Sequence, residues 1–216
     1  MDHSTLNARQ RAIRETFPPS LGLRVHRAIS WLGRAEREAD DSDACFIFLW
    51  IAFNAAYANE LPDRVRFSEQ GVFANFVKRI VALDENNILS GVIWSQFPSS
   101  IRLLIDNRYI FQPFWDFHTG RGGAEGWEER FHAEKAAAHR ALGRRDTAKV
   151  LLILLDRLYT LRNQLVHGGA TWGSSVNRGQ VRDAANIMGH VAPAVIDVMM
   201  SAANEVWGDP CYPVVD

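Results

Sequence analysis

The sequence predicts an all-α fold, a single-domain antiparallel helical bundle. Three observations carry this. Apolar residues recur at spacings of three and four in nearly every segment between prolines and glycines. No segment alternates apolar and polar residues as a half-buried strand would. One run, Ala44 to Ala58, is apolar almost all round, broken only by Asn54. That is the pattern of a buried central helix. β-Propensity alone would allow a strand at Cys45 to Phe53, but the unbroken length and the alanine-rich end favour helix.

The elements follow in order. Ser4 can cap a short helix over 4–16, stopped by Pro18-Pro19. Leu21, Val25, Ala28, Leu32 and Ala35 mark one face of a second helix, to about Ala39. Asp43 then caps the apolar run. Ser68 caps a helix with Val72, Phe73, Phe76, Val77, Ile80 and Val81 on one side. Two shorter pieces lie near Asn86 to Ser95 and Ser99 to Asn107. A break rich in Gly and aromatic residues follows, RYIFQPFWDFHTGRGGAEGW. A polar helix covers Glu125 to Leu142. Asp146 caps the longest convincing helix, which ends on Gly168-Gly169. A last helix runs from Ser175 to about Val206 with Pro193 inside it as an expected kink. The tail, 207–216, reads as extended. All 216 residues are expected to form one domain with its core at about 20–203.

Composition narrows the function classes. Hydrophobic residues make up 47% and charged residues 23%, which excludes disorder and low complexity. Cys45 and Cys211 are the two cysteines, too few for a zinc knuckle or a disulfide framework. Cys45 is expected to pack as a small hydrophobe. The polar N-terminus does not read as a signal peptide, and the longest apolar run is shorter than the roughly 20 residues of a membrane span. A cytoplasmic protein with no membrane partner is the expectation.

Net charge is −1, which by itself argues against a basic nucleic-acid binder. The average hides an asymmetry. From Arg140 to Arg182 there are eight Lys and Arg against two Asp, so this segment carries +6 and the rest −7. A polyanionic substrate is therefore compatible with the near-neutral total.

Within that basic segment lie Arg162, Asn163 and His167, reading R-N-Q-L-V-H-G-G. Asn163 and His167 are i and i+4 and share a helix face. Arg162 is one position round, but its side chain is long. His167 falls in the last turn, where the helix dipole favours a cation. The three residue types suit phosphodiester cleavage in RNA without a metal. A guanidinium offers a planar fork to phosphate and to transition-state charge. An imidazole can take the 2′-hydroxyl proton or protonate the leaving oxygen. An amide can orient the imidazole or the phosphate. One histidine does not readily serve as acid and base together, so a two-fold dimer placing two motifs side by side would supply the second.

R-N-x-x-x-H near the end of a long helix in a helical bundle resembles the HEPN superfamily. The upstream LWIAFNAAYAN helix with LRNQLVHG downstream looks like its Apea-like branch. The likeness spans about Ser20 to Ala203, with six residues carrying its specific part. The resemblance implies a four- to five-helix core with extra helices. It also implies a metal-independent endoribonuclease of toxin–antitoxin or defence systems, working as a homodimer on RNA without a cofactor, with an antitoxin or regulatory protein as a further partner. Some members of the superfamily are catalytically inactive binding modules. By position, Arg162, Asn163 and His167 match the family's catalytic residues. The family's first-helix acid would correspond to Glu36 or Glu38. The aromatic insertion between Arg108 and Trp127 lies outside the family pattern.

Weaker signals read as structural. Asp116, His118 and the Gly120 to Gly123 turn lack the preceding strand and the following Lys-Ser/Thr of a P-loop. Tyr109, Phe111, Phe114, Trp115 and Phe117 could stack bases, but a satellite core or a dimer interface is favoured. His132 and His139 lie two turns apart beside Glu128 and Glu129, without the spacing of a metal motif. Asn54 is expected to be a satisfied core amide or to face Arg162.

Overall fold

The computed structural model describes residues 1–57, 66–121, 123, 125–210, 212 and 214, with backbone alone for 66–70 and 72. Ala58, Gly122, Cys211 and the remaining tail positions fall outside the described residues, as does any cap by Ser68. Among the described residues the chain is all-α, with ten α-helices and no strand. No single described helix is long and apolar enough to cross a membrane.

The helices are α1 (His3–Ile13), α2 (Pro19–Glu36), α3 (Ser42–Tyr57), α4 (Arg66–Leu83), α5 (Ile88–Gly91), α6 (Pro98–Ile105), α7 (Gln112–His118), α8 (Trp127–Gly143), α9 (Thr147–Val166) and α10 (Arg178–Ser201). Contacts divide the chain into two compact units. One comprises Met1–Leu89 with Ala184–Asp216, the other Ser90–Asp183.

In the first unit α2 and α3 form an antiparallel hairpin. Arg34 lies over Phe48 at 4.9 Å near the loop, and Arg24 reaches the Ala56 carbonyl at the far end. The α2 face Leu21, Val25, Ala28, Ile29, Leu32 and Ala35 is buried, as its spacing predicts. Each large apolar side chain there contributes about 2 kcal/mol relative to exposure. No residue of α3 is exposed, but only seven of its sixteen are buried and the others are half-buried, so it is less enclosed than the central buried helix that its all-round apolar character predicts. Asn54 is half-buried on it, with no hydrogen bond to another described residue. Cys45 packs half-buried, and burial, then the nearby Glu38, Asp41 and Glu36, push its thiol pKa up.

Several caps differ from expectation for a common reason. A carboxylate one or two positions earlier reaches the open amides. Asp2, not Ser4, accepts from Thr5 N at 2.8 Å and starts α1. Asp41, not Asp43, accepts from Asp43 N and Ala44 N at 3.0 and 3.1 Å. Asp84 accepts from Ile88 N and Leu89 N at 3.0 and 2.7 Å, ahead of α5. α2 stops at Glu36 and α10 covers 178–201, both shorter than their apolar patterns. Pro193 does lie within α10.

The sequence pattern also passes over three buried cations or their partners. Arg24 is fully buried and donates to Ala56 O at 3.0 Å, Asp209 O at 2.6 Å and Gly208 O at 3.3 Å. It thereby caps the last turn of α3 and pins the segment after α10. Arg9 of α1 pairs with the nearly buried Asp197 of α10 and donates to Ser201 Oγ at 2.9 Å. Arg157, in the second unit, is described with the site.

Candidate functional site

The second unit is built on the α8–α9 hairpin. Asp146 Oδ1 accepts from Lys149 N at 3.0 Å and starts α9, as predicted. Val150, Leu151, Leu154, Leu155, Leu158 and Leu161 form its buried stripe. Arg157 is also fully buried. Its guanidinium lies 4.5 Å from the Phe111 ring centre and donates to Glu134 at 3.2 Å. Its Nε has no partner among the described residues.

The helix ends where Gly168-Gly169 predict. His167 N donates to Asn163 O at 3.0 Å, Gly168 N to Leu165 O at 3.2 Å and Gly169 N to Gln164 O at 2.7 Å. The last two bonds are the paired closure of a Schellman motif, which needs a left-handed residue after the cap. Gly168 supplies it, at φ +69°. Gly168→Ala is expected to cost about 1 kcal/mol, because a Cβ is strained in that region. Urea denaturation measures this, and an unchanged midpoint would mean that the glycine closure is dispensable.

This closure places the motif. Arg162 Nη1 donates to Asn163 Oδ1 at 2.9 Å, and the guanidinium carbon lies 5.7 Å from the Tyr159 ring centre. Asn163 therefore holds the guanidinium rather than the imidazole. His167 stands exposed at the C-cap, and its side chain has no partner among the described residues. Arg162 and Asn163 are thus joined directly, while His167 shares only the backbone turn with them. Of the two first-helix acids, Glu36 accepts from His3 N at 2.6 Å and Glu38 pairs with Arg34. Both are engaged within the first unit.

Between Arg108 and Trp127 the expected break contains a 3₁₀ turn at Arg108–Ile110 and the short helix α7. Pro113 suits its first turn, and the surrounding glycines hide it in the sequence. Its aromatic residues divide. Phe111 and Phe114 join Trp127 and Phe131 in a buried satellite cluster. Tyr109, Trp115 and Phe117 remain exposed. The Tyr109 carbonyl accepts from Trp115 Nε1 at 2.8 Å and from Gln164 Nε2 at 2.6 Å. The aromatic insertion is thereby fastened to the motif itself. Sequence reasoning missed Gln164 because its partner is a backbone carbonyl distant in the chain.

The remaining candidates are structural. Asp116 accepts from Gln112 Nε2 at 2.9 Å and pairs with Arg121 at 3.4 Å, and His118 packs 4.3 Å from the Phe114 ring centre. His139 Nε2 lies 3.0 Å from Asp106, which also takes Lys135 at 3.2 Å. No group of three or more His, Cys, Asp or Glu among the described residues is placed to hold a metal.

The site thus offers a fixed guanidinium, its amide partner and an exposed imidazole at one helix end. Compared with protein-family models, with curated proteins and with solved structures, the chain matches none.

Proposed function

We propose that the protein is a metal-independent endoribonuclease of the HEPN type, a toxin or defence-related RNase that acts as a homodimer. One observation carries the reading: Asn163 holds Arg162 on the same α9 terminus whose glycine-locked cap presents His167 to solvent. In this reading Arg162 binds the scissile phosphate and stabilises the charge that develops on its oxygens. His167 takes the proton from the 2′-hydroxyl. The 2′-oxygen then forms a bond to phosphorus as the bond to the 5′-oxygen breaks, and that oxygen leaves with a proton from a second acid. The His167 of a second copy would supply this acid. The products are a 2′,3′-cyclic phosphate and a 5′-hydroxyl.

Purified protein is expected to cut single-stranded RNA equally well with and without EDTA, leaving cyclic-phosphate ends detectable by mass spectrometry. Cleavage abolished by EDTA, or 3′-hydroxyl ends, would sink the proposal. A second reading rests on the His167 side chain, which no described residue orients. In it the domain is a catalytically inactive module binding RNA, a nucleotide or an antitoxin. Tight RNA binding with no products after long incubation would favour it.

A further inference from the structure

The second unit carries an open cavity of about 630 Å³, within the usual range for small-ligand sites. Its floor is apolar, from the buried Leu104 and Phe131. Its rim is polar and comes from two stretches: Asn107, Arg108 and Tyr109 after α6, and Gln180, Arg182 and Asp183 in the first turns of α10.

Three features point to a ligand. Tyr109 keeps 51% of its surface exposed. Its ring is held by Arg108, which lies 5.1 Å from the ring centre and donates to the hydroxyl at 3.1 Å. An anchored, exposed ring is a stacking platform that costs little entropy to use. Asp183 is half-buried, yet neither it nor the exposed Arg182 has a hydrogen-bond or ion-pair partner among the described residues. The Asp183 carboxylate oxygens still reach solvent within the cavity, so both are open to a ligand that carries donors. Asp106, also on the cavity wall, is already taken by Lys135 and His139. Finally, Asn107 Oδ1 accepts from Tyr109 N at 2.9 Å, and its amide N–H donors have no partner among the described residues.

We infer that this cavity takes one unpaired guanine nucleotide of an RNA strand, and that it does so beside the cleavage motif. The base stacks on Tyr109. Asp183 accepts from the base N1–H and N2–H, because guanine alone among the four bases offers two adjacent donors on that edge. Asn107 and Gln180 supply donors for O6 and N7, and Arg182 meets the phosphate. The hydrogen bond from Gln164 to the Tyr109 carbonyl ties this rim to the last turns of α9, at the position next to Asn163. Only the link to cleavage rests on the nuclease reading; the pocket and its base preference do not.

The test uses the full chain and fluorescent heptamers of 2′-O-methyl uridine with guanine, adenine or uracil at the centre, which cannot be cleaved by 2′-hydroxyl attack. Anisotropy is expected to show roughly tenfold tighter binding of the guanine heptamer, the size of one good two-bond base contact. Asp183→Asn should erase that preference while keeping the weaker binding of all three. Tyr109→Ala should weaken all three alike, by about tenfold. Both residues are at least partly exposed, and circular dichroism checks that each variant is folded. Equal binding of the three heptamers by the wild type, or an unchanged guanine preference in Asp183→Asn, overturns the inference. Guanine preference without cleavage of ordinary RNA supports the pocket and sinks the nuclease reading. Cleavage that depends on His167, with heptamer binding indifferent to Tyr109 and Asp183, does the reverse.

Discussion

His167→Ala is expected to slow RNA cleavage by two to four orders of magnitude, the usual worth of a positioned general acid or base. Stability should stay within about 0.5 kcal/mol of the wild type, because the imidazole is exposed and bonds to no described residue. Activity and folding are thus separable at this position, and a loss of cleavage cannot be put down to unfolding. Arg162→Ala should cost about 10²- to 10³-fold. Arg162→Lys should recover little of it, since an ammonium lacks the planar fork and the bond geometry that Asn163 Oδ1 receives. Asn163→Ala should cost less than either, because it frees the guanidinium without removing it. Cleavage rates on a labelled oligonucleotide, with melting curves of each variant, check the set. Cleavage that survives both Arg162→Ala and His167→Ala would place the chemistry elsewhere in the chain, or deny it altogether.

The second large effect is structural. Arg24→Ala is expected to lower stability by about 3 kcal/mol, since it removes charge-assisted hydrogen bonds and leaves a void in a packed core. Three carbonyls lose this donor: Ala56 in the last turn of α3, and Gly208 and Asp209 after α10. Arg24→Met should cost less than Arg24→Ala, because it restores volume but no donors. Both should speed proteolysis in the segment that begins near Trp207, whose anchoring depends on Arg24 and on Arg79, which pairs with Glu205. Urea denaturation and timed digestion read these effects. An Arg24→Ala variant as stable and as protease-resistant as the wild type would show that these bonds are not what holds the tail.

Arg24 also illustrates where sequence reading stops. Its position between Leu21 and Val25 places it on the apolar stripe of α2, so the spacing locates the buried face correctly. Nothing local says that a charged residue on that face will be buried rather than stretch to solvent. That is decided by whether carbonyls from distant segments converge on it. Arg157 repeats the case, seated against Phe111 and Phe131 from two other elements. The caps make a smaller version of the point. Asp2, Asp41 and Asp84 compete with nearby Ser and Asp for the same open amides, and small differences in approach settle which one wins.

By itself the sequence determined the helical class, the lack of an exposed face on α3, the Asp146 start and Gly168-Gly169 end of α9, and the place of His167 in its last turn. These depend on periodicity, caps and a left-handed residue, which act within a few positions of the chain. Only the tertiary structure decided that Asn163 engages Arg162 rather than His167, and that Gln164 fastens Tyr109 beside the motif. It also left Asp183 without a partner among the described residues, on a cavity wall. Side-chain rotamers and partners far apart in the chain carry no local periodicity, and packing selects among them only once the helices have met.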